Sequence, residues 1–205
     1  TNMTTEAGAK NGIIEPDETT YAYLRERTDA QYSPVHSDDN VQYSETFTIE
    51  IEKMEPTIAK PFSPGNISVA RELQGTELDK AYIGSCTGAK LDDLRAAAKI
   101  LKGKKVKIRT EVLPAAQSIY MKAMKEGLVE IFMEAGAIVG PPTCGACCGA
   151  HMGVLGKGEI CISTTNRNFP GRMGHVESQT YLASPVVVAA SAITGRITDP
   201  RDVKN

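Results

Sequence analysis

The sequence lacks a long apolar run, and it lacks a marked excess of charge of either sign. No stretch approaches the roughly 18 apolar residues that a membrane-spanning helix needs. The most apolar one, SPVVVAASAITG at 184–195, predicts a buried helix. The formal net charge is −2, which argues against a basic surface for nucleic acid or for a membrane. Internal repeats and low-complexity tracts are also missing. The class of protein that these absences leave is an ordinary globular one.

An initiator methionine is missing at the start, which reads TNMTTEAGAKNG. We therefore expect the sequence to be part of a longer chain. Residues 1–80 are polar and rich in prolines and other loop-forming residues. They predict a short helix or two and, from rough alternation, one strand in ETFTIEIEKM at 45–54. The remainder of this region is expected to form loops.

Residues 81–205 alternate between strand and helix patterns. The predicted strands are LDKAYIGSC (78–86), KKVKIRTEVL (104–113), AIVGPP (137–142) and EICISTTN (159–166). The predicted helices are KLDDLRAAAKILKGK (90–104), AQSIYMKAMKEGLVEIFMEAG (116–136) and YLASPVVVAASAITG (181–195). Pro185 must lie in the first turn of the last helix or break it. This alternation predicts an α/β fold with a parallel sheet flanked by helices.

Five cysteines are present, an odd number with most members in the second half of the chain. Such a set is a poor disulfide framework, so we expect a reducing, cytoplasmic environment in which the thiols bind metal or take part in catalysis. Cys86 and Cys144 each follow a predicted strand. Because ligands of open α/β sheets bind beyond the carboxyl ends of the strands, Cys86, Cys144 and Cys147 are candidates for one shared site.

The C-x-x-C pair in PPTCGACCGAH (141–151) allows several interpretations. A zinc site needs about four ligands, but a second C-x-x-C is missing and the histidines have no zinc-finger spacing. A thioredoxin-like redox pair normally begins a helix, and the glycines here make a poor helix start. Three thiolates could instead hold an iron–sulfur cluster with one iron open to substrate. Cys161 is expected to be a small buried side chain without a chemical role. For Cys148, the same role and a position beside the metal ligands both stay open.

Two further stretches bear on the site. GSCTGAK at 84–90 does not have phosphate-loop spacing, because Lys90 does not follow a glycine and no Ser or Thr follows it. TTNRNFPGRMG at 164–174 places Arg167 and Arg172 near Asn166 and Asn168, around a Pro-Gly turn. Arginine side chains bind carboxylates, often through two hydrogen bonds, so this loop is a candidate clamp for a di- or tricarboxylate.

Together, IGSCT (83–87), GPPTCGACCGAHMGVLGKGE (140–159), ISTTNRNFPGRMG (162–174) and YLASPVVVAASAITGRI (181–197) resemble the aconitase superfamily. Within it, the resemblance is to the large subunits of isopropylmalate dehydratases and homoaconitases, and it covers the later half of such a subunit. It implies that residues 1–80 are the end of a preceding α/β domain plus a linker. Residues 81–205 would be the cluster-binding domain.

The resemblance also implies roles for individual residues. The ligands of a [4Fe-4S] cluster would be Cys86, Cys144 and Cys147. Arg167 and Arg172 would hold substrate carboxylates beside Asn166. Asn2 and Glu6 would lie near the open iron, where Glu6 would help to handle the hydroxyl or water that leaves and returns. Without the resemblance, Glu6 is an ordinary carboxylate at a helix start.

The activity that the resemblance implies is a hydro-lyase reaction. Water would be removed from a 2-hydroxy dicarboxylic acid and added back at the neighbouring carbon, as in the isomerisation of 2-isopropylmalate to 3-isopropylmalate in leucine biosynthesis. The general base would lie on a separate small subunit, and an N-terminal part of the large subunit would complete the site. Gly88-Ala89-Lys90 departs from the family pattern, so homoaconitase, citramalate and dimethylmalate types of substrate stay open, as does a non-catalytic zinc or thiol redox module.

Overall fold

The computed structural model describes residues 1–203, which divide into two compact units, Thr1–Lys53 and a second unit that begins at Met54. Within residues 1–203, no helix combines the length and the apolar character that crossing a membrane requires. The predicted boundary after residue 80 concerns the domains of a longer protein and stays a prediction.

The first unit contains one regular helix, α1 (Glu18–Arg25). Asp17 caps it, because a carboxylate oxygen of Asp17 accepts a hydrogen bond from the backbone N–H of Thr20 at 2.8 Å. None of residues 1–53, all of which the structure describes, is buried. The strand predicted at 45–54 is wrong: the only regular structure there is a 3₁₀ turn, Ile51–Lys53. Alternation stabilises a strand only when one face is covered, and both sides of this segment are exposed.

The second unit is built on a sheet of seven strands. The strands are β1 (Thr57–Ala59), β2 (Ile67–Val69), β3 (Lys80–Gly84), β4 (Arg109–Leu113), β5 (Ile138–Val139), β6 (Ile160–Ser163) and β7 (Gln179–Ala183). Their order in the sheet is β2-β1-β7-β6-β3-β4-β5. Strand β1 pairs antiparallel with β2 and β7, and the other neighbours are parallel, as the sequence predicted.

Within residues 54–203, five helices accompany the sheet. They are α2 (Ser85–Gly88), α3 (Leu91–Leu101), α4 (Gln117–Lys125), α5 (Leu128–Glu134) and α6 (Pro185–Thr194). Helix α3 begins where Asp93 accepts a hydrogen bond from the backbone of Lys90, and α6 begins with Pro185 at its first position. Short 3₁₀ turns lie at Ala70–Leu73, Gly145–Cys148 and Pro200–Asp202.

The expectation of loops in the rest of residues 1–80 is wrong at β1 and β2, which are strands. Two predicted helices also need correction. The helix predicted over 116–136 is two helices, because Gly127 adopts a left-handed conformation (φ 72°) between α4 and α5. The last helix does not include residues 181–184, since Tyr181 and its neighbours form β7 and pair with β6 and β1. Pro185 therefore starts the helix and does not lie inside it.

The two faces of the sheet are covered differently. Alternate residues of a strand point to opposite faces. Ala81 and Ile83 of β3 belong to the large core cluster that includes side chains of α3 and α6. Tyr82 lies on the other face, in a smaller cluster with Leu113, Ala146, Cys147, Leu155, Cys161 and Met173. The loops that follow β5 and β6 supply much of this second cluster, and they carry the candidate site.

Candidate functional site

Cys86 lies on a tight turn directly after β3. Ser85 has a positive φ of 76°, a conformation that non-glycine residues seldom adopt and that costs energy. The turn packs closely on the end of β6: a Cβ on Gly88 would lie 2.1 Å from the carbonyl oxygen of Thr164. The hydroxyl of Thr164 also hydrogen-bonds with the backbone N–H and C=O of Gly84. The strained turn therefore places the exposed Cys86 beyond the carboxyl end of a central strand.

Cys147 lies in the 3₁₀ turn Gly145–Cys148 that follows β5, and Cys144 directly precedes this turn. The backbone carbonyl of Cys144 accepts hydrogen bonds from the backbone N–H of Cys147 at 2.9 Å and from the hydroxyl of Tyr82 at 2.8 Å. Gly145 has a φ of 51°, and a Cβ there would lie 2.3 Å from Leu113 Cδ1. The turn is thus pressed onto the sheet, with Cys147 buried and with Cys144 and Cys148 exposed.

Arg172 lies against the thiol of Cys147, with 3.8 Å between Nη2 and Sγ. Burial raises the pKa of the Cys147 thiol above its usual value, and the hydrogen bond and the charge of Arg172 offset only part of this rise. The Nε–H of Arg172 is buried and has no hydrogen-bond partner among the described residues. Because an unpaired buried donor is costly, this guanidinium has unused capacity for an anionic ligand.

The loop after β6 holds the other predicted substrate-binding residues. Asn166 is buried and Arg167 is half-buried. Asn168 has a structural role instead, because its amide donates hydrogen bonds to the carbonyl oxygens of Lys60 at 2.9 Å and Thr180 at 3.1 Å. The hydrogen bond to Thr180 therefore fixes the loop to β7 at the residue directly after Arg167.

The remaining predicted residues have separate places. Asn2 and Glu6 lie in the first unit, where both are exposed. Their role beside a cluster stays a prediction. Lys90 donates to the carbonyl oxygen of Thr87 and lies 3.4 Å from Asp93, so it belongs to the start of α3.

Sequence reasoning missed a buried ion pair below the cysteine turn. Lys80 Nζ lies 2.7 Å from Glu111 Oε2, and both side chains are buried. Lys80 also donates a hydrogen bond to the carbonyl oxygen of Gly153. A charged residue inside each of two apolar strand patterns was the available signal, but pairing them requires knowing that β3 and β4 are neighbours.

The donor chemistry fits an iron–sulfur cluster. Three thiols follow the strand ends, and the positive charge of an arginine lies beside one of them, where it can neutralise part of the negative charge of a thiolate ligand. Within residues 1–203, however, no three His, Cys, Asp or Glu side chains form a group that could hold a metal ion. The set of Cys86, Cys144 and Cys147 therefore stays a prediction about the loaded protein.

Comparisons with known proteins give a consistent match. The model of the Aconitase family (aconitate hydratase) matches residues 1–74 and 66–195. A 3-isopropylmalate dehydratase large subunit of Clostridium kluyveri is 53% identical over 204 residues, which are 98% of this chain and 49% of that protein. Proteins called 3-isopropylmalate dehydratase large subunit 1 are 48% identical in Methanopyrus kandleri over 202 residues and 52% identical in Pyrococcus furiosus over 208. These matches cover 98% and 99% of this chain, which spans about half the length of the curated relatives it matches.

Proposed function

The chain belongs to the aconitase family, and from that premise we propose that the full-length protein is a hydro-lyase acting on a 2-hydroxy dicarboxylic acid. The reaction removes water and adds it back at the neighbouring carbon. The observation that carries the proposal is the contact between Arg172 and Cys147, because it joins a carboxylate-binding group to a metal-binding thiol.

The cluster ligands in this proposal are Cys86, Cys144 and Cys147. Their support is the donor chemistry and the position of their turns beyond the carboxyl ends of parallel strands. When bound, a [4Fe-4S] cluster held by three cysteines supplies an iron with an open coordination position, which acts as a Lewis acid. The chain's own contribution is to hold the thiols and to keep Arg172 beside one of them.

The arginines of the loop after β6 bind the substrate carboxylates in this proposal. Arg172 has a buried Nε–H without a partner in the described part of the chain, and a carboxylate would supply the acceptor. Arg167 and Asn166 lie upstream on the same loop. Fixing both ends of a dicarboxylate orients the carbon that loses its proton.

The acid–base groups come only in part from this chain. Glu6 would exchange a proton with the departing and returning hydroxyl, and Asn2 would help to orient it. The general base is expected on a small subunit, and further groups on the part of the large subunit that this sequence does not include. The relatives from Clostridium kluyveri and Methanopyrus kandleri are called large subunits, which supports a heteromeric protein.

The substrate proposed first is 2-isopropylmalate, converted to 3-isopropylmalate in leucine biosynthesis in the cytoplasm. The support is the name 3-isopropylmalate dehydratase shared by relatives about 50% identical. Homoaconitase-type, citramalate and dimethylmalate substrates are the alternatives within the family. A zinc or thiol redox module built on Cys144 and Cys147 is the non-catalytic alternative.

The test is turnover by the full-length large subunit, loaded with iron and sulfide without oxygen and mixed with its small subunit. We expect isomerisation of 2-isopropylmalate, and Arg172→Lys should lower kcat/KM by about 10- to 100-fold because a two-point carboxylate contact is lost. Arg109→Lys is the matched control, since Arg109 is exposed at the start of β4 and pairs with Glu159 at 3.3 Å. Turnover of a different 2-hydroxy diacid would revise the substrate, whereas bound zinc without turnover would refute the hydro-lyase.

A further inference from the structure

Two side chains on one face of β3 hold the segment that carries the C-x-x-C pair. We call residues 140–158 the thiol segment. Tyr82 donates its hydroxyl to the carbonyl of Cys144 at 2.8 Å, and Lys80 donates to the carbonyl of Gly153. These two contacts lie on either side of Cys147 in the sequence. The strand therefore fixes the thiol segment at two points.

The first contact acts directly on the turn that joins the two thiols. The carbonyl oxygen that Tyr82 contacts is also the acceptor for the backbone N–H of Cys147. Tyr82 is fully buried. A buried phenol hydroxyl needs a hydrogen-bond partner, and the carbonyl of Cys144 supplies it.

The second contact depends on the buried ion pair. Lys80 has no exposed surface, and Glu111 neutralises its charge from 2.7 Å. The thiol segment approaches this pair closely at Gly153, where a Cβ would lie 1.9 Å from Glu111 Oε1 and 2.3 Å from Lys80 Nζ. The backbone of Gly153 is thus a partner of the pair, because a spare donor of the ammonium group is used there.

We propose that Tyr82 and the Lys80–Glu111 pair are positioning residues that hold Cys144 and Cys147 ready to ligate the cluster. The inference rests on the proposed function. Ligands that are fixed before metal arrives lose less conformational freedom on binding, and supporting hydrogen bonds typically change metal affinity markedly when they are removed. Neither residue contacts the iron in this proposal; each acts through the backbone of the thiol segment.

The first experiment compares Tyr82→Phe with Tyr181→Phe in the full-length protein. Tyr181 is a matched control because it lies in β7 and packs against the core cluster on the opposite face. Loss of one hydrogen bond should make alkylation of Cys147 in the metal-free protein about two- to tenfold faster, as measured by mass spectrometry. Iron loss from the reconstituted protein to a chelator should accelerate by a similar factor. Tyr181→Phe should match the wild type in both measurements.

The second experiment separates positioning from folding. The double variant Lys80→Met with Glu111→Leu removes both charges and keeps the volume apolar, so the protein should stay folded. It also removes the donor to Gly153. We expect an unchanged circular dichroism spectrum, faster alkylation of Cys147 and an altered absorption spectrum of the cluster. A general loss of folding stability would not alter the cluster spectrum while leaving the circular dichroism spectrum unchanged.

The outcomes distinguish the inference from the proposed function. If the wild type binds a cluster and both variants match it in alkylation, iron loss and spectrum, the positioning role is refuted and the hydro-lyase proposal stands. If the wild-type protein binds no iron after reconstitution, the proposed function itself is refuted, and the inference falls with it.

Discussion

Lys80 and Glu111 form an ion pair, 2.7 Å apart, that is buried between the sheet and the loops that carry the candidate site. They come from neighbouring parallel strands, and the sequence separates them by 31 positions. A buried pair of this kind contributes little net stability compared with an apolar pair, but each partner depends strongly on the other.

Replacing one partner of this pair should be far more damaging than replacing both. Lys80→Met leaves the Glu111 carboxylate buried without its counter-charge, and the free energy of unfolding should fall by about 3–5 kcal/mol. Lys80→Met with Glu111→Leu should lie close to the wild type or above it. Urea denaturation followed by circular dichroism measures both. Equal losses in the single and double variants would show that the charges are not coupled.

Gly153 and Gly158 offer a matched pair in one segment. Both have positive φ angles, 74° and 75°, but a Cβ would meet Glu111 at Gly153 and would have open space at Gly158. Gly158→Ala should cost only the conformational strain, about 1–2 kcal/mol. Gly153→Ala should cost clearly more, because the ion pair must also move. Thermal unfolding of the two variants checks this, and a similar loss in both would contradict the close approach at Gly153.

Asp199 should make stability fall in acid. Its buried carboxylate accepts hydrogen bonds from Arg201 and Arg71, and the hydrogen bond with Arg201 is the main cause that lowers its pKa from the ordinary 3.8 to about 2. Because the pKa is lower in the folded state, the stabilisation is complete above pH 4 and is lost as the pH falls toward 2. It amounts to at most about 2 kcal/mol.

The measurement is the free energy of unfolding between pH 2 and pH 7 for the wild type and two variants. Asp199→Asn should be less stable at pH 7 and should show a flatter dependence below pH 4. Asp202→Asn is the control, since Asp202 is exposed and lies 3.6 Å from Arg71, and a surface ion pair contributes about 0–1 kcal/mol. If the free energy of unfolding of Asp199→Asn falls as steeply below pH 4 as that of the wild type, another carboxylate causes the loss of stability in acid.

The centre of the sheet was predictable because its signals are local. Residues 81–83 form a short apolar run bounded by Gly84, and Leu94, Ala98 and Leu101 repeat at helical spacing. Such periodicity follows from which side chains must be buried, and it correctly predicted β3, β4, β5, β6 and α3. It also placed Cys86 beyond a strand end.

The edge of the sheet was not predictable in the same way. Strands β1 and β2 have three residues each and are mostly half-buried or exposed, so their sequences show no clear alternation. They exist because β1 pairs with β7, a partner more than 100 positions away. Residues 45–50 show the opposite case: polar and apolar residues alternate there, but no other part of the described chain covers the apolar side chains, and no strand forms.

The candidate site also has features that the sequence predicts and features that it does not. The thiols and the arginines were found from their motifs and from the family resemblance, since residue type and spacing carry that information. The contact between Arg172 and Cys147, and the anchoring of the thiol segment by Tyr82, depend on how loops from different strands pack together. Sequence patterns do not encode such packing directly.

The most direct test of the central claim is iron–sulfide reconstitution without oxygen of the full-length protein, comparing the wild type with Cys86→Ala and Cys148→Ala. Cys148 is the control because it is exposed beside the C-x-x-C pair and is not assigned as a ligand. We predict about four irons and four sulfides per chain, with a broad cluster absorption, in the wild type and in Cys148→Ala, and their loss in Cys86→Ala. Undiminished iron in Cys86→Ala, or one zinc bound by the wild type, would contradict the three-cysteine cluster.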